Sequence, residues 1–538
     1  PSLGQLIASV SPVALGRALM VGASKTATAA VLGGAGLIVT TSGASAACTN
    51  TSGKVYVCSS DETTTQSLSG GASLLDVTIV DPAASFDTSD TAGDAFELTG
   101  DAGITFDNKT AGATITGADN GIDARNNGTG ALSITTTGTT TGDTKHGIYA
   151  KNDNASSTSL TINAATTTGG RYGIYAQNYG AGELEITTTG TTTGETKDGI
   201  YAYNDEGTSL TINAADTTGG RYGIYAKNTG TGALSITTTG TTTGTSGYGI
   251  NAYNKSTGTD LTINAADTEG GGHGIFAVNN GIGALSITTT GTTTGGKDGI
   301  RAVNRGTDLT INVTELGAVT GGRHGIFAKN EGTSLTINAA TTTGGRNGIY
   351  AKNTGTGDLS ITTTGTTTGT AKDGIFAKNE GTSLTINAAD TEGGRNGIFA
   401  QNKGTGALSI TTTGKTTGGT GHGIYAYNAG SGGTSITVAS TGSIETSADT
   451  GYGIFNKSSG TAAKLNEITV AGSITTAGKD AHGIVQDGGT SIANISGTVS
   501  AKGKLAAAVF HKSGSGHTVN LAEGAKITGS ISAANEAS

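Results

Sequence analysis

A Gly-Ile pair recurs along this chain at Ile122, Ile148, Ile174, Ile200, Ile224, Ile250, Ile275, Ile300, Ile326, Ile349, Ile375, Ile398, Ile424, Ile454 and Ile484. Most steps between them are 23 to 26 residues, and the last two are 30. A fixed period of this size means a solenoid, a propeller or an array. Within one unit, "GIYAxN" reads as a short strand. A Gly-rich turn follows, then "LSIT" or "LTIN", of which Leu160 and Ile162 are one pair. A Thr-rich stretch closes the unit, and no segment has helical periodicity. The units come in two flavours that mostly alternate, one reading "GTGALSITTTGTTTG" and the other "GTSLTINAADTTGG". The fold this predicts is all-β: a right-handed parallel β-helix with three short strands per rung of about 25 residues, the rungs about 4.8 Å apart. A propeller blade would need four strands and roughly 40 residues or more.

Composition agrees with a narrow solenoid. With 93 Gly, 3 Pro, no Trp and 4% aromatics, the chain lacks the large side chains of a wide core. Its net charge of −9 argues against a nucleic-acid partner.

Counting from each isoleucine as position 0, alternation sorts builders from displayed residues. Ala stands at +2 from Ala124 through Ala426, and Asn at +4 from Asn126 through Asn428. These share the inward parity. Asn126, Asn152, Asn178, Asn204, Asn228 and Asn254 therefore predict a structural ladder, each at a corner where Asn tolerates left-handed angles and can donate to the next amide. Position +1 faces out and is aromatic in eleven of fifteen units, among them Tyr149, Tyr175, Tyr201, Tyr225, Phe276 and Phe327. This column is either a self-stacking ladder that supports the sheet or a binding strip, and both can hold. Position −3 is basic in nine of fifteen units, beginning with Lys145, Arg171, Lys197 and Arg221. Here the alternatives are a surface for an anionic partner and local pairing with a nearby Asp. Five of the seven histidines, His146, His273, His324, His422 and His482, occupy −2, which reads as a polar turn position rather than a metal or catalytic site.

Catalytic signatures are missing. "KDGI" places Asp198, Asp298 and Asp373 at repeat positions several rungs apart, not in one cleft. No protease motif, calcium nonapeptide or phosphate loop is present, so a non-enzyme without cofactors is expected. An ice-binding rod is disfavoured because the long Thr element belongs to alternate units.

At the N-terminus, Arg17 and Lys25 precede the mildly apolar run Ala27 to Val39, and Ala44 to Ala46 offer a small-x-small cleavage site. Residues 1–47 thus read as an extended signal peptide, of a chain whose opening Pro1 suggests a fragment. Cys48 and Cys58 fit no usual zinc spacing; a disulfide-closed loop is the first reading and two free thiols the second. Residues 48–95 then form an N-terminal cap, 96–445 the regular repeats, and 446–538 irregular C-terminal rungs.

The long Ala/Gly-rich leader, the Cys pair just after it, the Gly/Thr/Asn-rich rungs and the ending "VNLAEGAKITGSISA" together resemble the passenger of a type V autotransporter, closest in style to the alphaproteobacterial, bartonella-type passengers. The resemblance implies export through the periplasm to the cell surface or medium and a membrane β-barrel translocator that this chain does not contain. It also implies adhesion to a host-cell glycan or receptor, with a structural stalk and a secreted growth-factor-like, proangiogenic effector as alternatives. A sulfated or otherwise anionic glycan is the partner expected for the stripe, with Arg forking the anion and sugar rings stacking on aromatic faces. On this reading, Ser at Lys145, Arg171, Lys197 and Arg221 removes binding and leaves the fold intact.

Overall fold

The computed structural model describes residues 48–108, 112–459 and 465–534, all within the compact unit Ala46–Ser538. The predicted signal peptide lies outside the described residues. Every element among the described residues is a strand. They build a parallel β-solenoid of about 18 turns and about 26 residues per rung.

Each rung contributes one strand to each of three sheets. In one rung the strand His146–Asn152 belongs to what we call the isoleucine sheet, Leu160–Ala164 to the leucine sheet, and Thr167–Gly169 to the threonine sheet. Strands pair in parallel with the equivalent strands of the rungs before and after, in register. Ile148 lies between Ile122 and Ile174, Leu160 between Leu132 and Leu184, and Thr167 between Thr140 and Thr192. That register is what a sequence period must produce when one face of every strand is buried, because a one-residue slip would turn the apolar set to water.

The interior is a stack of identical layers. Ile148, Ala150, Leu160 and Ile162 are fully buried, as are their counterparts in the next rung, Ile174, Ala176, Leu184 and Ile186. Each large aliphatic side chain contributes about 1.5–3 kcal/mol by leaving water. The threonine sheet points Thr140, Thr167 and Thr192 inward, also fully buried. They share a column with Val319 and Ile444, so the core there needs the β-branched shape rather than the hydroxyl. The glycine of the Gly-Ile pair is explained at this wall: a Cβ on Gly147 would lie 2.5 Å from Thr167 Cγ2 and 2.8 Å from the Gly173 carbonyl oxygen.

The first rungs differ. Cys48–Ser52 and Val55–Cys58 form an antiparallel hairpin closed by the Cys48–Cys58 disulfide, and Val55–Cys58 pairs in parallel with Leu75–Ile79. Phe86, Phe96 and Phe106 pack ring against ring at 4.8 and 4.9 Å inside the coil below it.

Candidate functional site

The isoleucine sheet and the corner leading into it hold every column singled out by the repeat. Its inner edge is an unbroken amide ladder. Asn126 Nδ2 donates to Asn152 Oδ1 at 3.1 Å, Asn152 to Asn178 at 3.0 Å, Asn178 to Asn204 at 2.9 Å, Asn204 to Asn228 at 2.9 Å and Asn228 to Asn254 at 3.0 Å. The same Nδ2 atoms also reach turn carbonyls, as Asn178 does with Gly182 at 3.0 Å. These asparagines are fully buried. The expected left-handed backbone is a correction: among the described residues only Ala92 has a positive φ outside glycine. The asparagines end extended strands, and their value lies in two donors and an acceptor on a short stem.

On the outer face the +1 rings are half-buried by one another. Tyr149, Tyr175, Tyr201 and Tyr225 stack at centroid distances of 5.2, 4.6 and 5.0 Å, with interplanar angles of 4°, 5° and 6°. A second stack runs from Phe327 through Tyr350, Phe376 and Phe399 to Tyr425 at 4.8 to 5.0 Å. Between them Asn251 and Arg301 interrupt the column, and Phe276 stacks instead with Tyr248, which comes from −2. The end of each stack nearer the N-terminus is covered by a cation: Arg125 lies 4.9 Å from the Tyr149 centroid and Arg301 4.2 Å from that of Phe327. Within each stack the ring faces are therefore occupied by neighbouring rings. Of the two readings of this column, the self-stacking ladder is what these rings form, and the faces inside each stack leave no room for a sugar ring.

Position −2 is the largest revision. The polar turn expected there is a largely buried corner. Asp198, Asp298 and Asp373 are fully buried there, and His146, His273 and His324 nearly so. Where this corner holds Asp or Asn, and at His273, His422 and His482, an acceptor on the δ atom takes a backbone N–H of the next rung, whereas Nδ1 of His146 and His324 is buried without a partner among the described residues. Asp298 N–H donates to His273 Nδ1 at 3.2 Å, Tyr452 N–H to His422 Nδ1 at 3.1 Å, Asp373 N–H to Asn347 Oδ1 at 3.0 Å and Tyr222 N–H to Asp198 Oδ1 at 3.2 Å. Burial pushes His146, His273, His324 and His422 down to about 4, so these rings are neutral at neutral pH.

The −2 residue also decides what the cation one rung later does. Arg221 grips Asp198 with Nε at 2.8 Å and Nη2 at 2.7 Å, Arg323 grips Asp298 at 2.8 and 2.5 Å, and Arg395 grips Asp373 at 3.0 and 2.6 Å. For Asp298, burial would raise the carboxyl, but the Arg323 fork and neighbouring charges outweigh it and hold it below the ordinary value. Lys145 instead meets Asp119 at 3.0 Å on the surface. Arg171, Lys197, Lys297, Arg346 and Lys372 have no ion-pair partner among the described residues. Arg171 and Arg346 follow rungs with His146 and His324, and both are exposed. A shallow depression lined by His324, Phe327, Arg346, Tyr350, Lys372 and Phe376 lies on this face.

The structure thus brings Lys145, Arg171, Lys197 and Arg221 into one column beside Tyr149, Tyr175, Tyr201 and Tyr225, but the column holds two kinds of cation. Local pairing with a nearby Asp, one of the two readings of this column, holds for Lys145, Arg221, Arg323 and Arg395; what sequence reasoning missed is that the three arginines take a buried Asp one rung back. The available signal was that each "KDGI" is followed one unit later by "GGR". Among the described residues no three His, Cys, Asp or Glu converge as metal ligands. No family model, curated protein or solved structure matches this chain.

Proposed function

We propose that this chain is a non-catalytic, exported solenoid that binds an anionic polymer of a cell surface along its isoleucine sheet, as the passenger of a type V autotransporter. The observation that carries the reading is the set of unpaired cations, Arg171, Lys197, Lys297, Arg346 and Lys372, in one column of an acidic protein. Arg171 with Lys197, and Arg346 with Lys372, stand on consecutive rungs about 4.8 Å apart. Linked weak contacts of this kind gain avidity along a polymer. With the faces inside each stack closed, recognition rests on charge and on tyrosine hydroxyls and ring edges.

The test is binding of the full chain to a sulfated polysaccharide. Affinity falls steeply between 0.1 M and 1 M salt, across which the screening length drops from about 10 Å to about 3 Å. Arg171→Ser, Lys197→Ser, Arg346→Ser and Lys372→Ser together remove it. The set avoids Arg221, whose loss would leave Asp198 buried and unpaired. Salt-independent binding, or full binding by the fourfold variant, overturns the reading; no binding by the parent favours a structural stalk.

A further inference from the structure

The leucine sheet carries the opposite of the isoleucine sheet. In ten successive strands, Leu210–Ala214 to Thr434–Val438, both outward positions are Ser, Thr or Asn without exception, as in Thr211 with Asn213 and Ser235 with Thr237. The charges stand at the two rims of this floor. Asp260, Asp308 and Asp358 are exposed on the side where the chain enters the sheet, and Asp216, Asp267 and Asp390 on the side where it leaves. Their Oδ1 atoms take turn N–H groups of the next rung, as Asp260 does from Ala284 at 2.7 Å and Asp267 from Thr292 at 2.7 Å. The turns thus hold these carboxylates in place.

The isoleucine sheet has the complementary section. Its ring column presents uncharged edges. It is flanked on one side by the −3 cations Arg171, Lys197, Arg346 and Lys372; on the other, +3 lysines stand beside carboxylates, Lys151 with Asp153, Lys329 with Glu331 and Lys378 with Glu380, so that rim carries both signs. Both faces belong to one coil, so their rows repeat with the same axial step. The acidic exit rim of the neutral floor, with Asp216, Asp267 and Asp390, and the −3 cation rim of the aromatic floor repeat at one spacing and fit each other.

We propose that a second copy of this chain is the occupant of the leucine sheet, seated by its isoleucine sheet, so that molecules associate side by side. Ten strands of five residues present roughly 800 Å², from about 4.8 Å per rung and about 3.3 Å per residue, which is what each partner contributes to a stable interface. The two surfaces are different, so the contact is heterologous and every bound molecule still offers one free face of each kind; association is open-ended rather than a closed dimer. The proposal shares the basic face with the polymer reading but does not depend on it.

Sedimentation velocity of the full chain tests this. At 0.1 M salt the average mass rises continuously with protein concentration, and at 1 M salt it returns to the monomer. Thr237→Lys with Thr288→Lys makes the leucine floor basic; Arg346→Glu with Lys372→Glu makes the opposing face acidic. Each variant alone stays monomeric, and mixing the two restores association. Far-UV circular dichroism checks that both keep their strand content. Should the lysine variant lose it, Asp216→Asn with Asp267→Asn, which keeps the Oδ1 acceptors for Thr241 and Thr292, weakens association in its place. A parent that is monomeric at every concentration in 0.1 M salt, association that persists in 1 M salt, or a mixture that remains monomeric overturns the proposal. A monomeric parent that still binds the sulfated polymer sinks this inference alone; association without polymer binding sinks only the proposed function.

Discussion

Two arginines fifty residues apart in the same column, Arg171 and Arg221, have different jobs. Arg221 closes a two-point fork on Asp198, whose side chain is 0% exposed while that of Arg221 is 38% exposed. Arg171 follows His146, has no such partner, and stands in water. Nothing in the two local stretches, "GGRYGIYAQN" and "GGRYGIYAKN", separates them. The difference sits one rung back, at His146 or Asp198. A repeat can therefore carry a structural and a displayed copy of the same residue, and the preceding unit decides which is which.

The largest effect expected from this contrast is on stability. Arg221→Ser strands a buried carboxylate and costs about 3 kcal/mol, the low end for a broken buried pair because water reaches the guanidinium. Arg171→Ser costs under about 0.5 kcal/mol. Hydrogen exchange of the strands Ile200–Asn204 and Ile224–Asn228 reads the difference locally, which suits a long repeat whose unfolding is not one transition. Equal protection in the two variants would erase the distinction.

Acid separates the rungs next. His146 and His324 ionise only near 4 when folded but near 6.5 when unfolded, so the unfolded chain binds the extra proton first. Stability around them falls as pH drops from about 6.5 and levels off below about 4. The Asp298 carboxyl is held below its ordinary value of 3.8, so its contribution persists through that window and is lost only as pH falls further. Exchange measured at pH 7 and pH 5 should show the His146 rung loosening, with His146→Asn abolishing the change there. Uniform loosening along the coil would count against the assignment.

Conversion of one kind of rung into the other is a gentler test. Asp198→Asn keeps the Oδ1 acceptor for the Tyr222 N–H, as Asn347 does for Asp373, but gives up the charge. It should cost about 1–2 kcal/mol, less than Arg221→Ser, and free Arg221 to raise sulfated-polymer affinity severalfold. The reverse change, His146→Asp, should capture Arg171 and lower that affinity by a similar factor. Titration of both variants against the parent checks the pair.

The smallest expected effect concerns a column that serves neither kind of rung. Thr140, Thr167 and Thr192 bury hydroxyls that find no partner among the described residues. Val has the same shape, and Thr192→Val should stabilise its neighbourhood by about 1 kcal/mol. A loss of protection there would mean the hydroxyl is hydrogen-bonded after all.

The period, the three strands per rung and the inward parity of Ile, Ala and Asn were legible in the residues, because a solenoid repeats in space what it repeats in sequence. The ladder from Asn126 to Asn254 was legible for the same reason. The left-handed corners were not, since Asn is compatible with both a turn and the last residue of a strand. The ring column was legible only as two alternatives: one +1 ring per unit shows that rings neighbour each other, but not that Tyr175 and Tyr201 would lie 4.6 Å apart and nearly parallel.

By itself the sequence determined the architecture and its register, since apolar alternation with a fixed period leaves one way to bury every inward residue. Only the tertiary structure decided which cations are bound and which are displayed. That choice depends on contacts between rungs more than twenty residues apart, such as Arg221 on Asp198 with a separation of 23. A carboxylate becomes a committed partner only when stacking has taken it out of water beside a guanidinium that it can grip with both oxygens.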